Sequence, residues 1–140
     1  MLSTYKTGLL QAKAYRILKN YLSRNLDEYN LTMPEWALLG SIYEKESMKL
    51  TEIAKLLDVE APYATNLAEQ LQKKGLVIRA ESSDDRRVKR ISLTKKGALL
   101  VPVVERNIKN AMRTIYNSVT QDELGVYIKV LQAITIEYSK

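Results

Sequence analysis

The chain of 140 residues carries 22 Lys and Arg against 16 Asp and Glu, a formal net charge of +6 at pH 7. This length predicts one compact domain, and the positive charge favours a polyanionic partner. Cysteine and histidine are absent, which excludes disulfides, Ser-His-Asp triads and zinc sites built from Cys or His. The five glycines are scattered, so no phosphate-binding glycine loop can form. We therefore expect neither an enzyme nor a bound cofactor or metal.

The sequence also predicts where the protein acts. No apolar run approaches the roughly 18 residues that a membrane-spanning helix needs. The first eight residues, MLSTYKTG, lack the charged and apolar regions of a secretory signal. We expect a soluble cytoplasmic protein with no membrane partner.

Apolar residues at steps of three and four predict a long first helix from about Gly8 to Tyr29. Thr32 and Glu35 then form a capping-box pattern with Pro34 between them, which predicts the start of a second helix. The chain thus begins with two consecutive helices.

Two short amphipathic helices follow. The first begins near Leu50 with Thr51 as its expected cap and stops near Asp58. The second runs from about Ala61 to Lys74 and is ended by Gly75. Their tight connection predicts a helix-turn-helix.

After Gly75 the apolar period changes from helical spacing to alternation. Val77 and Arg79, and later Ile91 and Leu93, alternate around a polar tip and predict a β-hairpin, or wing. A long helix that contains Pro102 should follow Thr94, and the Thr120–Glu123 capping box should open a last helix. The predicted fold is mostly α with a small β wing.

The net charge is concentrated in one segment. Residues 73–97 hold nine basic and three acidic side chains, and the rest of the chain is balanced. Charging for solubility alone would be spread more evenly, so this segment favours a nucleic-acid-binding surface.

The outward face of the second short helix carries groups that read DNA. Amides can pair with adenine, Thr and Tyr can contact thymine methyls or phosphates, and Lys can contact phosphate. A plain solvated helix face is the alternative, but the adjoining basic wing favours a recognition helix. The residues concerned are Pro62, Tyr63, Thr65, Asn66, Gln70 and Lys73.

The wing tip is an ordinary polar turn in composition, but a turn does not require its arginines. An Arg braced by a carboxylate, as Asp85 can brace Arg87, suits a narrow minor groove. Asp85, Arg86, Arg87 and Lys89 are therefore expected to contact DNA.

The residues 85–87 followed by Leu93-Thr94-Lys95-Lys96-Gly97 resemble the Asp-x-Arg and Leu-Thr-x-x-Gly wing signature of the MarR family of transcriptional regulators. Residues 50–77 resemble the helix-turn-helix of that family. The chain departs from the family at Glu60, where a better helix cap is usual, and at Asn66, where Arg is frequent. Because an amide complements adenine rather than guanine, we expect adenine in each half-site.

The resemblance implies a winged helix-turn-helix with long N- and C-terminal dimerisation helices. It places these helices at residues 1–30 and 98–140, flanking a DNA-binding lobe at 31–97, all in one domain. It further implies a homodimeric repressor of a palindromic operator in double-stranded DNA. Small aromatic or anionic effectors would bind in a crevice lined by Tyr15, Arg16, Trp36 and Tyr43. Core packing is the favoured alternative for each aromatic by itself, because Trp36 and Tyr43 are seven residues apart, the usual spacing of a buried helix face.

Two other interpretations remain open from the residues themselves. A winged helix can bind protein rather than DNA, although the basic wing disfavours this. A carboxylate enzyme is less favoured still, because it would have to work without His, Cys or a phosphate loop. Steep loss of duplex-DNA affinity with salt would distinguish a DNA-binding regulator from both alternatives.

Overall fold

The computed structural model describes residues 3–81 and 89–138. The described chain contains, in order, α1 (Thr4–Asp27), α2 (Met33–Lys45), β1 (Ser47–Lys49), α3 (Leu50–Leu57), α4 (Ala61–Lys73), β2 (Val77–Glu81), β3 (Lys89–Leu93), α5 (Lys95–Ile115) and α6 (Gln121–Tyr138). The expected mostly helical fold with a small β wing is confirmed. None of the helices in these two ranges is long and apolar enough to cross a membrane.

The chain divides into two compact units, Met1–Ile108 and Lys109–Lys140. In the first unit, α1 and α2 contact each other. The start of α2 is fixed by the expected capping box, in which Glu35 N–H donates to Thr32 Oγ1 and Thr32 N–H donates to Glu35 Oε1. This pairing satisfies two N–H groups that a bare helix start would leave unbonded.

The helix pair α3 and α4 forms as expected, but Thr51 is not its cap. The helix begins at Leu50, but its N-cap is Lys49, two residues before Thr51, and Lys49 N–H donates to Glu52 Oε1 at 3.2 Å. Asp58 takes the left-handed conformation at φ 54° and ends α3. Gly75 ends the α4 segment at φ 75°, where glycine avoids the steric cost of a Cβ.

The wing strands form an antiparallel pair, as the alternation predicted. Val77 lies opposite Leu93, and Arg79 opposite Ile91. The sequence did not predict β1, which pairs antiparallel with the other edge of β3. The sheet order is therefore β1-β3-β2, with β3 in the centre.

The core of the first unit lies between this sheet and the helices. α4 contributes a buried stripe at helical spacing, and α5 contributes three buried residues at helical spacing. The fully or nearly fully buried side chains include Leu38, Leu39, Ile42, Met48, Ile53, Ala64, Leu67, Ala68, Leu71, Ile91, Val101, Val104 and Ile108. One side of α4 is thereby committed to packing, and the opposite side is left to solvent.

The start of α5 is packed tightly against the strand that follows α4. Thr94 N–H donates to Leu76 O at 3.0 Å, and Gly97 N–H donates to Thr94 Oγ1 at 3.1 Å. A Cβ on Gly97 would lie 2.2 Å from Leu76 O. The Leu-Thr-x-x-Gly run therefore needs Thr as a helix cap and Gly for close backbone approach.

The second unit contains the end of α5, a turn and α6. The predicted capping box is present, with Thr120 N–H donating to Glu123 Oε1 and Glu123 N–H donating to Thr120 Oγ1. The hydrogen bond from the Thr120 N–H to the carboxylate, with a smaller contribution from the Thr120 side chain, holds the pKa of Glu123 below its usual range. No side chain of α6 is buried.

Candidate nucleic-acid interface

The outward face of α4 is accessible along its whole length. Pro62, Tyr63, Asn66, Gln70 and Lys73 are exposed and Thr65 is half-buried. The opposite face of α4 is buried in the core, through Ala64, Leu67, Ala68 and Leu71. The six predicted α4 residues are therefore held by a packed helix while most of their side chains face solvent.

Two of these side chains are already paired. Gln70 Nε2 donates a 3.4 Å hydrogen bond to Asn66 Oδ1, one helical turn earlier. Each amide thereby restricts the rotation of the other. Residues at this spacing share one helix face, so both amides are presented in the same direction.

The N-terminus of α4 matches the departure noted in the sequence. Glu60 occupies the N-cap position and its side chain makes no cap hydrogen bond, while proline lies in the first turn. This helix end is therefore held by its surroundings rather than by a side-chain cap.

Of the four residues predicted to contact DNA from the wing, Lys89 alone belongs to the part of the chain that the structure describes. Asp85, Arg86 and Arg87 lie outside the described residues. Lys89 is exposed at the start of β3, opposite Glu81 in β2. The next residue, Arg90, anchors the sheet, because its Nε donates to Ser47 Oγ at 2.9 Å.

An ion pair fixes the C-terminal end of α4, and sequence reasoning did not assign it. Lys74 Nζ lies 2.9 Å from both Oε1 and Oε2 of Glu35, and it also donates to Asn30 O at 2.6 Å. Lys74 is the C-cap residue of α4, and Glu35 lies in the first turn of α2. The capping pattern identified Glu35 only as a helix cap; 39 positions separate the partners, so no local pattern pairs them.

Glu35 is only 3% exposed. Burial alone would raise the pKa of this carboxyl, but the hydrogen bonds from Lys74 and from Thr32, together with the lysine charge, lower it overall. Glu35 is therefore ionised at neutral pH. A buried carboxylate is tolerated here because it is fully paired.

The same end of α4 is also held from α5. Thr94 Oγ1 donates to Gly75 O at 2.6 Å, and Lys96 Nζ donates to Lys74 O at 3.1 Å. The last turn of α4 is thus bonded to α2 on one side and to the start of α5 on the other.

A cavity of about 270 Å³ adjoins this junction. The Glu35–Lys74 ion pair and the outward amides of α4 both line this cavity. Its lining comprises Thr32, Glu35, Tyr63, Asn66, Leu67, Gln70 and Lys74. The predicted base-reading residues and the residues that fix α4 therefore border one space.

The four predicted effector residues lie on α1 and α2. Tyr15 and Arg16 are exposed on α1, and Lys19 Nζ lies 5.9 Å from the centroid of the Tyr15 ring. Trp36 is half-buried and Tyr43 is 48% exposed, seven residues apart on α2. None of the four is in the closed core of the first unit.

Comparison with known proteins relates this fold to transcriptional regulators. Residues 31–89 match the MarR family model. A mutant of MarR from E. coli, complexed with operator DNA, has a TM-score of 0.80 at 22% identity, covering 91% of each chain. A MarR-family regulator from Rhodococcus sp. RHA1 has a TM-score of 0.84 at 17% identity, covering 100% of this chain and 98% of its own.

CouR from Rhodococcus jostii RHA1, bound to p-coumaroyl-CoA, has a TM-score of 0.81 at 17% identity, covering 96% of this chain and 93% of its own. These structures share the fold over nearly the whole chain. The family model matches the segment that carries α2, the helix-turn-helix and the first wing strand. The resemblance of the sequence motifs is confirmed to this extent: residues 31–89 match the MarR family model, and the described chain has the winged-helix fold of the MarR-type regulators to which it is similar.

Proposed function

We propose that this protein is a homodimeric repressor that binds a palindromic operator and is released by a small aromatic or anionic effector. The observation that carries the proposal is the exposed polar face of α4 beside the segment that holds the whole net positive charge. A helix with such a face fits the major groove. Two recognition helices of a dimer read half-sites whose centres are about 34 to 36 Å apart.

Direct reading of bases is assigned to the outward amides of α4. Hydrogen bonding of Gln70 to Asn66 uses one lone pair of Asn66 Oδ1 and leaves a second lone pair and both Asn66 N–H donors. That inventory complements the N6 and N7 edge of adenine. Pro62, Tyr63 and Thr65 are assigned to thymine methyls or phosphates, and Lys73 to phosphate.

The wing is assigned to the minor groove. Lys89 is exposed at the start of β3, opposite the last residue of β2, and residues 85–87 supply two arginines and a carboxylate able to order them. Narrow A/T-rich minor grooves attract such guanidinium groups. We expect the flanks of the operator to be A/T-rich for this reason.

Dimerisation is assigned to the helical regions 1–30 and 98–140, which flank the DNA-binding lobe at 31–97. In α1, Tyr5 is 70% exposed and Tyr15 66%. In α6, Val126 is 62% exposed and Ile136 80%. Apolar surface of this extent on two helices is typical of an interface rather than of a monomer surface. A second copy of the chain is the partner that the family implies.

Effector binding is assigned to the α1 and α2 residues Tyr15, Arg16, Trp36 and Tyr43. Aromatic rings with one guanidinium suit an aromatic anion. The complex of the similar protein CouR with p-coumaroyl-CoA supports this class of ligand. Binding should change the fluorescence of Trp36, the only tryptophan of the chain.

DNA binding is tested by selecting duplexes from a random library and titrating the winner and an unrelated duplex at several salt concentrations. We expect a steep salt dependence and adenine in each half-site. Asn66→Ala should cost about 1 to 3 kcal/mol on the selected duplex only. Lys73→Ala should weaken both duplexes and reduce the salt slope by about one, whereas Lys45→Ala, a matched removal of an exposed charge on α2, should not. Affinity that does not change with salt would refute the function.

Dimerisation is tested by light scattering at micromolar concentration. The full chain should have twice the mass of one copy, and Ile134→Glu on α6 should lower that mass. Leu56→Glu on α3 is the control, because both side chains are 47% exposed and only the α6 residue lies in the proposed interface. A monomeric parent protein would contradict the proposal.

A further inference from the structure

Lys73 and Lys74 are adjacent but have different surroundings. Lys73 is exposed, whereas the Lys74 side chain is 26% exposed and its Nζ has three acceptors within 2.9 Å. Those acceptors are the two carboxylate oxygens of Glu35 and the carbonyl of Asn30. An ammonium has three N–H donors. Lys74 therefore has no donor left for a DNA phosphate.

Both carboxylate oxygens of Glu35 also have hydrogen-bond partners. Its Oε1 accepts from Lys74 and from the Thr32 N–H at 2.8 Å, and its Oε2 accepts from Lys74. Removing one partner of such a pair leaves the other charge buried and uncompensated. The first turn of α2 and the last turn of α4 therefore hold each other in one arrangement.

A small movement at the Lys74 end of α4 would displace the amides that are proposed to read bases. Asn66 lies eight residues before Lys74, about 12 Å along the helix axis. If the Lys74 end were released and α4 tilted by about 10° about its N-terminal end, Asn66 would move by about 1 Å and Gln70 by about 2 Å. A hydrogen bond to a base edge does not survive a displacement of that size.

We propose that Glu35 and Lys74 are positioning residues for operator recognition. Their ion pair holds α4 at the angle at which its amides enter the major groove, and Lys74 itself contacts no phosphate. The inference rests on the proposed DNA-binding function. It predicts that the pair determines specificity rather than general affinity for DNA.

The test compares Glu35→Gln, Lys74→Met and Lys74→Arg with Lys73→Met as the neighbouring control. Affinities for the selected duplex and an unrelated duplex are measured by fluorescence anisotropy at several salt concentrations. Measurements are made at temperatures where circular dichroism shows each variant fully folded. We expect Glu35→Gln and Lys74→Met to lose about tenfold in affinity for the selected duplex only, with the salt slope unchanged. Lys74→Arg should retain most of the discrimination.

The double variant Glu35→Gln/Lys74→Met sharpens the test. The effects of substituting two residues that act as one unit are not additive. The double variant should therefore lose no more discrimination between the duplexes than the single variant that loses the most. Without DNA, amide hydrogen exchange at residues 70–74 should accelerate in Lys74→Met but not in Lys73→Met, because only the first loosens the end of α4.

Each contrary result has its own meaning. If Lys74→Met weakens both duplexes equally and lowers the salt slope by about one, Lys74 is a phosphate contact and the inference is wrong. If the variants melt earlier but discriminate like the parent when folded, the pair only stabilises the fold and the inference is again wrong. If the parent protein itself does not discriminate between duplexes, the proposed function fails, whatever the exchange rates show.

Discussion

Replacement of Gly97 by alanine is a perturbation whose cost can be worked out from distances. The added Cβ would lie 2.2 Å from Leu76 O and 3.1 Å from the Leu76 carbonyl carbon. Both are backbone atoms, so no side-chain rotation can relieve the overlap. The start of α5 must instead move by about 1 Å, which strains the Thr94 N–H bond to Leu76 O.

The expected magnitude has three contributions. Forced overlap in a packed region costs about 1 to 3 kcal/mol, and the weakened hydrogen bond about 1 kcal/mol. The better helix propensity of alanine returns about 0.5 to 1 kcal/mol. We therefore expect Gly97→Ala to lower the free energy of unfolding by about 1 to 3.5 kcal/mol. For a chain of this size the Tm should fall by about 3 to 14 °C.

The measurement is thermal and urea unfolding followed by circular dichroism. Gly40→Ala is the control, because this glycine also lies in a helix but a Cβ there would meet nothing within 4 Å. Its Tm should rise by about 2 to 4 °C. A Gly97→Ala protein as stable as the Gly40→Ala protein would refute the steric reasoning.

Three further substitutions test other contacts. The pKa of Glu35 is lower in the folded protein than its ordinary 4.5. Its ion pair therefore stabilises the fold above pH 4.5 and loses that effect as pH falls through the folded pKa. Urea unfolding should show that the difference in stability between the parent and Glu35→Gln shrinks as the pH is lowered below 4.5. A difference that stays constant with pH would contradict the stabilising role of the ion pair. Thr32→Ala should cost about 1 kcal/mol in urea unfolding, with Thr32→Ser close to the parent; equal losses would exclude a capping role. Arg90→Met removes the bond to Ser47 Oγ, so amide exchange in β1 should accelerate while exchange in β2 stays unchanged. Equal rates in β1 before and after would exclude the anchor.

Local patterns were sufficient to predict much of the fold. Thr32 and Glu35 are three residues apart, so their reciprocal capping is visible in the sequence and is present in the structure. Alternation at Val77, Arg79 and Ile91 likewise reflects a strand pair whose inner positions are buried. Short-range periodicity encodes these elements because one face of each must meet the core.

Contacts between distant parts of the chain could not be predicted. β1 has only three residues and one buried side chain, and it exists through its pairing with β3 rather than through its own pattern. Thr51 looked like a cap because the true helix start at Leu50 follows directly from that strand. The Lys74 partner of Glu35 lies on another helix. The exposed face of α4 is visible in the sequence, but what holds that face at its angle is not.

The central position of β3 in the sheet affects how the chain folds during its synthesis. Met48 pairs with Ile91, so the β1–β3 pairing closes a chain loop that contains both helices of the helix-turn-helix. During synthesis from the N-terminus, β1 and α2 emerge long before β3 does. The sheet can then close only after the whole loop has been translated, and long-range closure of this kind is slow. The segment from β1 to β3 should therefore become resistant to protease late on the ribosome, in one step, when residues just beyond Leu93 have left the exit tunnel.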